Sequence, residues 1–221
     1  MIEIKLILEP FSHALPYDYY NRMHGFISKL MGDNNYGKNY NRYHYTNIIG
    51  GENTKDGIIF KDATPYFIIR FDKNDTELQD RFWNNITSCV NLFFGLKLKT
   101  FLFEEVDNYK KKTFRTLKQS PILISEKYRQ LDDLSLDIIQ ETESYLLRCI
   151  RNKAKACGFK LDERLTINIV NQYNPKTINY NGIQNKGRLF ELKINANEAT
   201  KKFILLNGLG RSCGCAFGFI Y

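Results

Sequence analysis

The chain has 221 residues, 43% of them hydrophobic and 14% aromatic, enough for one large or two smaller packed domains and too apolar for a disordered chain. No apolar run reaches the ~18 residues of a membrane span, and Met1-Ile2-Glu3-Ile4-Lys5 does not open a signal peptide. The five cysteines lack Cys-x-x-Cys spacing and fit a reducing cytoplasm; the net charge is +8.

That charge is uneven. Residues 1–95 carry 10 Lys+Arg against 11 Asp+Glu, residues 96–130 carry 9 against 4, residues 131–147 carry none against 5, and residues 148–221 carry 13 against 4. A basic C-terminal half predicts a polyanionic partner, nucleic acid first.

In chain order, Ile2–Leu8 alternates apolar and polar residues, the period of a half-buried strand. A helix opens at Leu15-Pro16-Tyr17, with Tyr19, Met23, Phe26, Ile27 and Leu30 as its core face and Gly32 as its stop. Residues 33–41 read as a polar loop. Arg42–Ile49 and Gly57–Phe71 read as strands, Asp75–Val90 as an amphipathic helix and Leu96–Val106 as another strand. This order is that of a ferredoxin-like βαββαβ unit, residues 1–107.

The charged segment 107–112 marks the boundary, after which the order recurs over residues 108–221. Phe114–Ile124 is extended, and Leu134–Cys157 is a long helix ended by Gly158. Leu161–Val170 and Arg188–Ile194 alternate as strands, Asn197–Leu206 is a short helix, and Cys215–Tyr221 closes the unit. The expected fold class is therefore α+β, two tandem ferredoxin-like domains. Cys149 and Cys157 fall on a helical core face. Cys213 and Cys215 have no partner pair elsewhere, so neither a metal nor another cofactor is expected.

The last fourteen residues concentrate glycine: Gly208, Gly210, Gly214 and Gly218 surround Arg211. Glycine serves where a side chain would block positive φ or a close backbone approach, and a loop of exposed N–H groups beside an arginine suits a phosphate. The spacing Gly-hydrophobic-Gly, five residues, small-Phe-Gly resembles the C-terminal signature of the RAMP superfamily of CRISPR proteins. Within it the likeness is to the repeat-RNA-processing endoribonucleases of the Cas-six family, with Ala216 at a usual glycine. Leu15-Pro16-Tyr17 with Met23-His24-Gly25-Phe26-Ile27 resembles that family's first helix, Arg42-Tyr43-His44-Tyr45-Thr46 its second strand, and Ser120-Pro121-Ile122 the opening of its second domain.

The resemblance implies metal-free RNA cleavage, in which a ribose 2′-OH attacks the adjacent phosphate and leaves a 2′,3′-cyclic phosphate. Such a step needs a general base, usually histidine, and cations that hold the phosphate. The three histidines are His13, His24 and His44. His24 lies at the edge of the first helix's core face. His44 points to the opposite sheet face from Tyr43 and Tyr45, hence outward if the tyrosines are core, and ranks before His24. The family places its histidine between the first helix and second strand, where this chain has Lys29, Lys38, Tyr40 and Arg42 instead.

Lys38 and Tyr40 are thus expected at the catalytic centre. Lys29, Arg42, the four loop glycines and Arg211 are expected on the RNA. Further basic residues of the second half, among them Lys153 and Arg188, suit its backbone. The implied partner is CRISPR repeat RNA, with CRISPR effector or adaptation proteins beyond it; monomer and homodimer both remain open. The rival reading is a non-catalytic RNA-binding RAMP subunit of an effector complex.

Overall fold

The computed structural model of the protein describes residues 1–9, 12–32, 41–60, 64–128, 131–180 and 183–221. Strand β1 (Ile2–Leu8) is followed by α1 (Tyr20–Met31), β2 (Tyr43–Tyr45), the hairpin β3 (Glu52–Thr54) and β4 (Gly57–Ile59), β5 (Tyr66–Phe71), α2 (Thr76–Ile86) and β6 (Leu98–Glu105). Four of these strands form one antiparallel sheet in the order β2-β5-β1-β6, the ferredoxin-like arrangement, with the β3–β4 hairpin inserted. The single strand expected over Gly57–Phe71 is thus two, β4 and β5.

The alternation of β1 sends Ile4, Leu6 and Leu8, all fully buried, to one face. There they meet Met23, Ile27 and Leu30 of α1 and Leu78 and Phe82 of α2, each side chain contributing roughly 1.5–3 kcal/mol of burial. Asp75 caps α2, its carboxylate accepting from Leu78 N at 3.2 Å. Tyr43 and Tyr45 belong to the same core.

The second unit repeats the plan. It runs β7 (Thr113–Arg115), α3 (Leu136–Cys157), β8 (Thr166–Tyr180), β9 (Ile183–Asn195) and α4 (Glu198–Asn207). Its sheet has the order β7-β9-β8, and the chain end completes it outside β7. Thr116 bridges Ile220, and Arg115 and Tyr221 exchange both backbone hydrogen bonds at 3.0 Å. Gly158 ends α3 in the left-handed region at φ 69°, and Asn197 caps α4 through Thr200 N at 2.8 Å.

β8 and β9 run longer than their alternation indicates, because their distal halves are mostly polar yet stay paired from Lys176↔Gly187 to Tyr180↔Ile183. Through this extension Ile178 reaches the core of the first unit, and Met1 enters the core of the second. Among the described residues no helix is long and apolar enough to cross a membrane.

Where the two units meet, Arg70 of β5 is fully buried. It donates Nε to Glu3 Oε1 at 2.8 Å and Nη1 to the carbonyl of Ile220 at 2.9 Å, and its guanidinium lies 4.0 Å over the Phe219 ring. One side chain of the first sheet therefore ties down the chain terminus of the second.

Candidate active site

His44 is opposite Arg70 in the β2–β5 register, on the sheet face away from α1 and α2. Alternation correctly separates it from Tyr43 and Tyr45, but that face is not open to solvent. The end of α4 and the chain terminus cover it, and His44 is 0% exposed. Its Nε2 sits 2.9 Å from the Phe217 carbonyl, and its ring is 5.1 Å from that of Phe219. Burial pushes its pKa down to about 3, the charges of Arg70 and Lys153 acting the same way and the Phe217 carbonyl opposing. The expectation of an outward imidazole is corrected: His44 is a neutral packing residue at the junction.

His24 lies on the opposite side of β2, half-buried on α1. Its Nδ1 is 2.8 Å from Tyr45 Oη, and Tyr45 is itself in the core. A tyrosine anchored on β2 thus orients an imidazole at the edge of α1. In the tautomer where Nδ1–H donates to Tyr45 Oη, the lone pair is on Nε2, the form a general base needs.

The glycine segment packs along β2, where the 3-10 turn Cys213–Cys215 meets it. Gly208 has φ 67°, and a Cβ there would be 2.4 Å from His44 Cε1; Gly210 has φ 81°, and its Cβ would be 2.5 Å from the Leu123 carbonyl oxygen. Gly218 is closed in the same way by Leu209. The close approach that Gly208, Gly210 and Gly218 permit is to the protein's own atoms. Gly214, in the 3-10 turn, is half-buried, and Ser212 beside it is exposed at φ 55°. Ala216 takes φ 63°, in the left-handed region that favours glycine.

Lys153 of α3 pins this segment. Its Nζ donates to the carbonyls of Asn207 and Gly208, both at 2.9 Å, and lies 3.1 Å from Cys213 Sγ. All three ammonium donors have protein partners, so Lys153 fixes the loop instead of tracking RNA. Asn207 also accepts from Asn41 N at 3.1 Å, tying α4 to the entry of β2. A lone lysine within a helix carries no pattern that announces this contact.

The remaining cations diverge. Arg42 grips both carboxylate oxygens of Asp75, at 2.6 and 3.1 Å, and Glu77 at 3.0 Å, with its side chain 6% exposed. In this fold it braces the capped end of α2. Lys29 is exposed, but about 140° round α1 from His24, in the groove toward residues 89–94. Arg188 is 1% exposed and donates to the carbonyls of Tyr128, Leu131 and Asp132. Arg211 stays at the surface, its Nη1 2.8 Å from Glu126 Oε1, an exposed pair of little strength that a phosphate can displace. Lys38 and Tyr40 lie outside the described residues. Among the described residues no group of three His, Cys, Asp or Glu side chains is placed to hold a metal ion.

Two tandem ferredoxin-like units define the fold class, and comparison with known proteins supplies the family. Residues 102–221 match the model of the family described as CRISPR associated protein Cas6, C-terminal. The chain belongs to that family. Among solved structures, one described as CRISPR associated protein Cas6 is 16% identical with a TM-score of 0.69, covering 100% of this chain and 97% of its own. A Cas6-related protein from Pyrococcus furiosus is likewise 16% identical with a TM-score of 0.69, over 100% and 96% of the two chains. A RAMP protein described as binding different RNA substrates is 17% identical with a TM-score of 0.71, over 99% and 97%. At these identities the likeness is one of fold. No curated protein matches the chain in sequence.

Proposed function

We propose that the protein is a metal-independent endoribonuclease that cuts CRISPR repeat RNA in the precursor transcript, with His24 as the general base. The observation that carries this reading is the His24–Tyr45 pair, 2.8 Å apart at the edge of β2 in a chain of the Cas6 family. In the reaction, His24 Nε2 accepts the proton of a ribose 2′-OH. The 2′ oxygen attacks the adjacent phosphorus, and the P–O5′ bond breaks. The products carry a 2′,3′-cyclic phosphate and a 5′-OH, and the departing 5′ oxygen takes up a proton. Lys38 and Tyr40 are assigned, on the family resemblance, to charge stabilisation and hydrogen bonding at the phosphate, and Arg211 to the RNA backbone. The work is done in the cytoplasm, with effector proteins as the receivers of the product.

A non-catalytic RNA-binding RAMP subunit is the second reading, and the burial of His44 favours it, since that histidine is withdrawn from substrate. Single-turnover cleavage of repeat RNA separates the two. His24→Ala is expected to slow the step by about 10²–10⁴-fold with RNA affinity retained. Cleavage by His24→Ala at the wild-type rate overturns the assignment.

A further inference from the structure

Strand β6 forms one edge of the first sheet. Its beginning is occupied: Leu98 N donates to the Val90 carbonyl at 2.8 Å, and Asn91 bridges Lys97. Val106 N donates to the Met1 carbonyl at 2.9 Å, so antiparallel alternation turns the N–H and C=O groups of Leu102 and Glu104 toward β1. Those of Phe101, Phe103 and Glu105 face away from the sheet. Among the described residues no strand pairs with them, and an edge of this kind is a template for another strand.

The side chains along it complement themselves. A bulge between Leu98 and Thr100 leaves Lys99 unpaired beside Thr100, both exposed, and Leu102 (44% exposed) and the exposed Glu104 follow on the face of Thr100. The strand is therefore basic at its start, apolar at its centre and acidic at its end. Glu104 lies directly across from Glu3 of β1, whose carboxylate is already held by Arg70, so the exposed Glu104 is the acid this edge presents to an added strand. On the other face Trp83 of α2, 47% exposed, rests 5.6 Å from the Phe101 ring and 5.4 Å from the Phe103 ring.

We propose that the protein forms a two-fold homodimer by antiparallel pairing of β6 with β6 of a second copy, the axis passing beside Leu102. In that register Leu102 faces its own copy as a non-hydrogen-bonded pair. Phe101 exchanges backbone hydrogen bonds with the partner's Phe103, and Lys99 approaches the partner's Glu104. The two four-stranded sheets become one, and the two Trp83 rings lie along the seam. The proposal is independent of the nuclease reading.

Sedimentation velocity of the whole chain tests it. Wild type is expected to shift from monomer to dimer with concentration. Lys99→Glu and Glu104→Lys, each setting like charges together twice by symmetry, should weaken the dimer about tenfold, or ~1.4 kcal/mol. The double variant Lys99→Glu/Glu104→Lys should restore it. Trp83 is the chain's single tryptophan, so its emission should move to the red when wild type is diluted. Leu102→Cys should form an intermolecular disulfide, since such pairs hold their Cα atoms about 4.5 Å apart. A wild type that stays monomeric up to about 100 µM, a concentration that reveals even a ~10 µM dissociation constant, overturns the proposal. So does a dimer that neither single variant weakens or the double variant fails to restore.

Discussion

His44 Nε2 and the Phe217 carbonyl, 2.9 Å apart, join β2 of the first unit to the chain end of the second across 173 residues. Because the surroundings of this imidazole exclude water and already hold Arg70, it stays neutral with a pKa of about 3. In the unfolded chain it titrates near ~6.5. Between those values the unfolded state binds a proton that the folded state refuses, so stability falls as pH drops through that window. The slope for one such group approaches ~1.4 kcal/mol per pH unit. Thermal melts of wild type and His44→Gln between pH 7 and 4 should therefore diverge, the variant losing stability less steeply on acidification. Parallel slopes would contradict the buried neutral state.

The glycines give a pair of opposite predictions for one chemical change. At Gly210 an added methyl meets the Leu123 carbonyl oxygen at 2.5 Å, at a φ of 81° that disfavours alanine. Gly210→Ala should cost about 2–3 kcal/mol of stability, combining strain with overpacking. At Gly25, within α1, an added Cβ meets nothing within 4 Å. Gly25→Ala should stabilise by about 0.5–1 kcal/mol, since alanine restricts the unfolded chain and favours the helix. Denaturant midpoints measure both; a neutral Gly210→Ala would return that glycine to a role at the RNA.

Arg211 supplies the test of the C-terminal segment as an RNA contact. Its pair with Glu126 is exposed, so Arg211→Ala should leave the melting temperature almost unchanged. The slope of log affinity for repeat RNA against log salt should become shallower by up to about one counterion. An unaltered slope would remove Arg211 from the interface.

The alternation of Ile2, Ile4, Leu6 and Leu8 and the helical spacing of Met23, Ile27 and Leu30 made the first unit legible, because each element buries one face against the same core. β8 continues past residue 170 and β9 begins before residue 188, where backbone pairing persists with few apolar residues to mark it. The same limit governed the site. Period two tells which sheet face His44 takes, but not that α4 and the chain end cover that face. Nor does sequence show that Arg42 meets Asp75, 33 positions away. His24 was legible as a boundary residue of α1, and only the fold brings Tyr45 to it. The glycines at 208, 210 and 218 were legible as glycine-requiring positions, whereas what crowds them is decided by tertiary contacts from Leu123, Leu209 and His44.

The most direct measurement is single-turnover cleavage, in EDTA, of the CRISPR repeat RNA from the encoding genome, alongside the same RNA with one 2′-deoxy ribose at the scissile position. The account predicts cutting of the all-ribose strand, a 2′,3′-cyclic phosphate on the upstream product and a 5′-OH on the downstream one, with the deoxy strand bound but intact. Cleavage that requires added Mg²⁺, or that proceeds at the deoxy position, would contradict it.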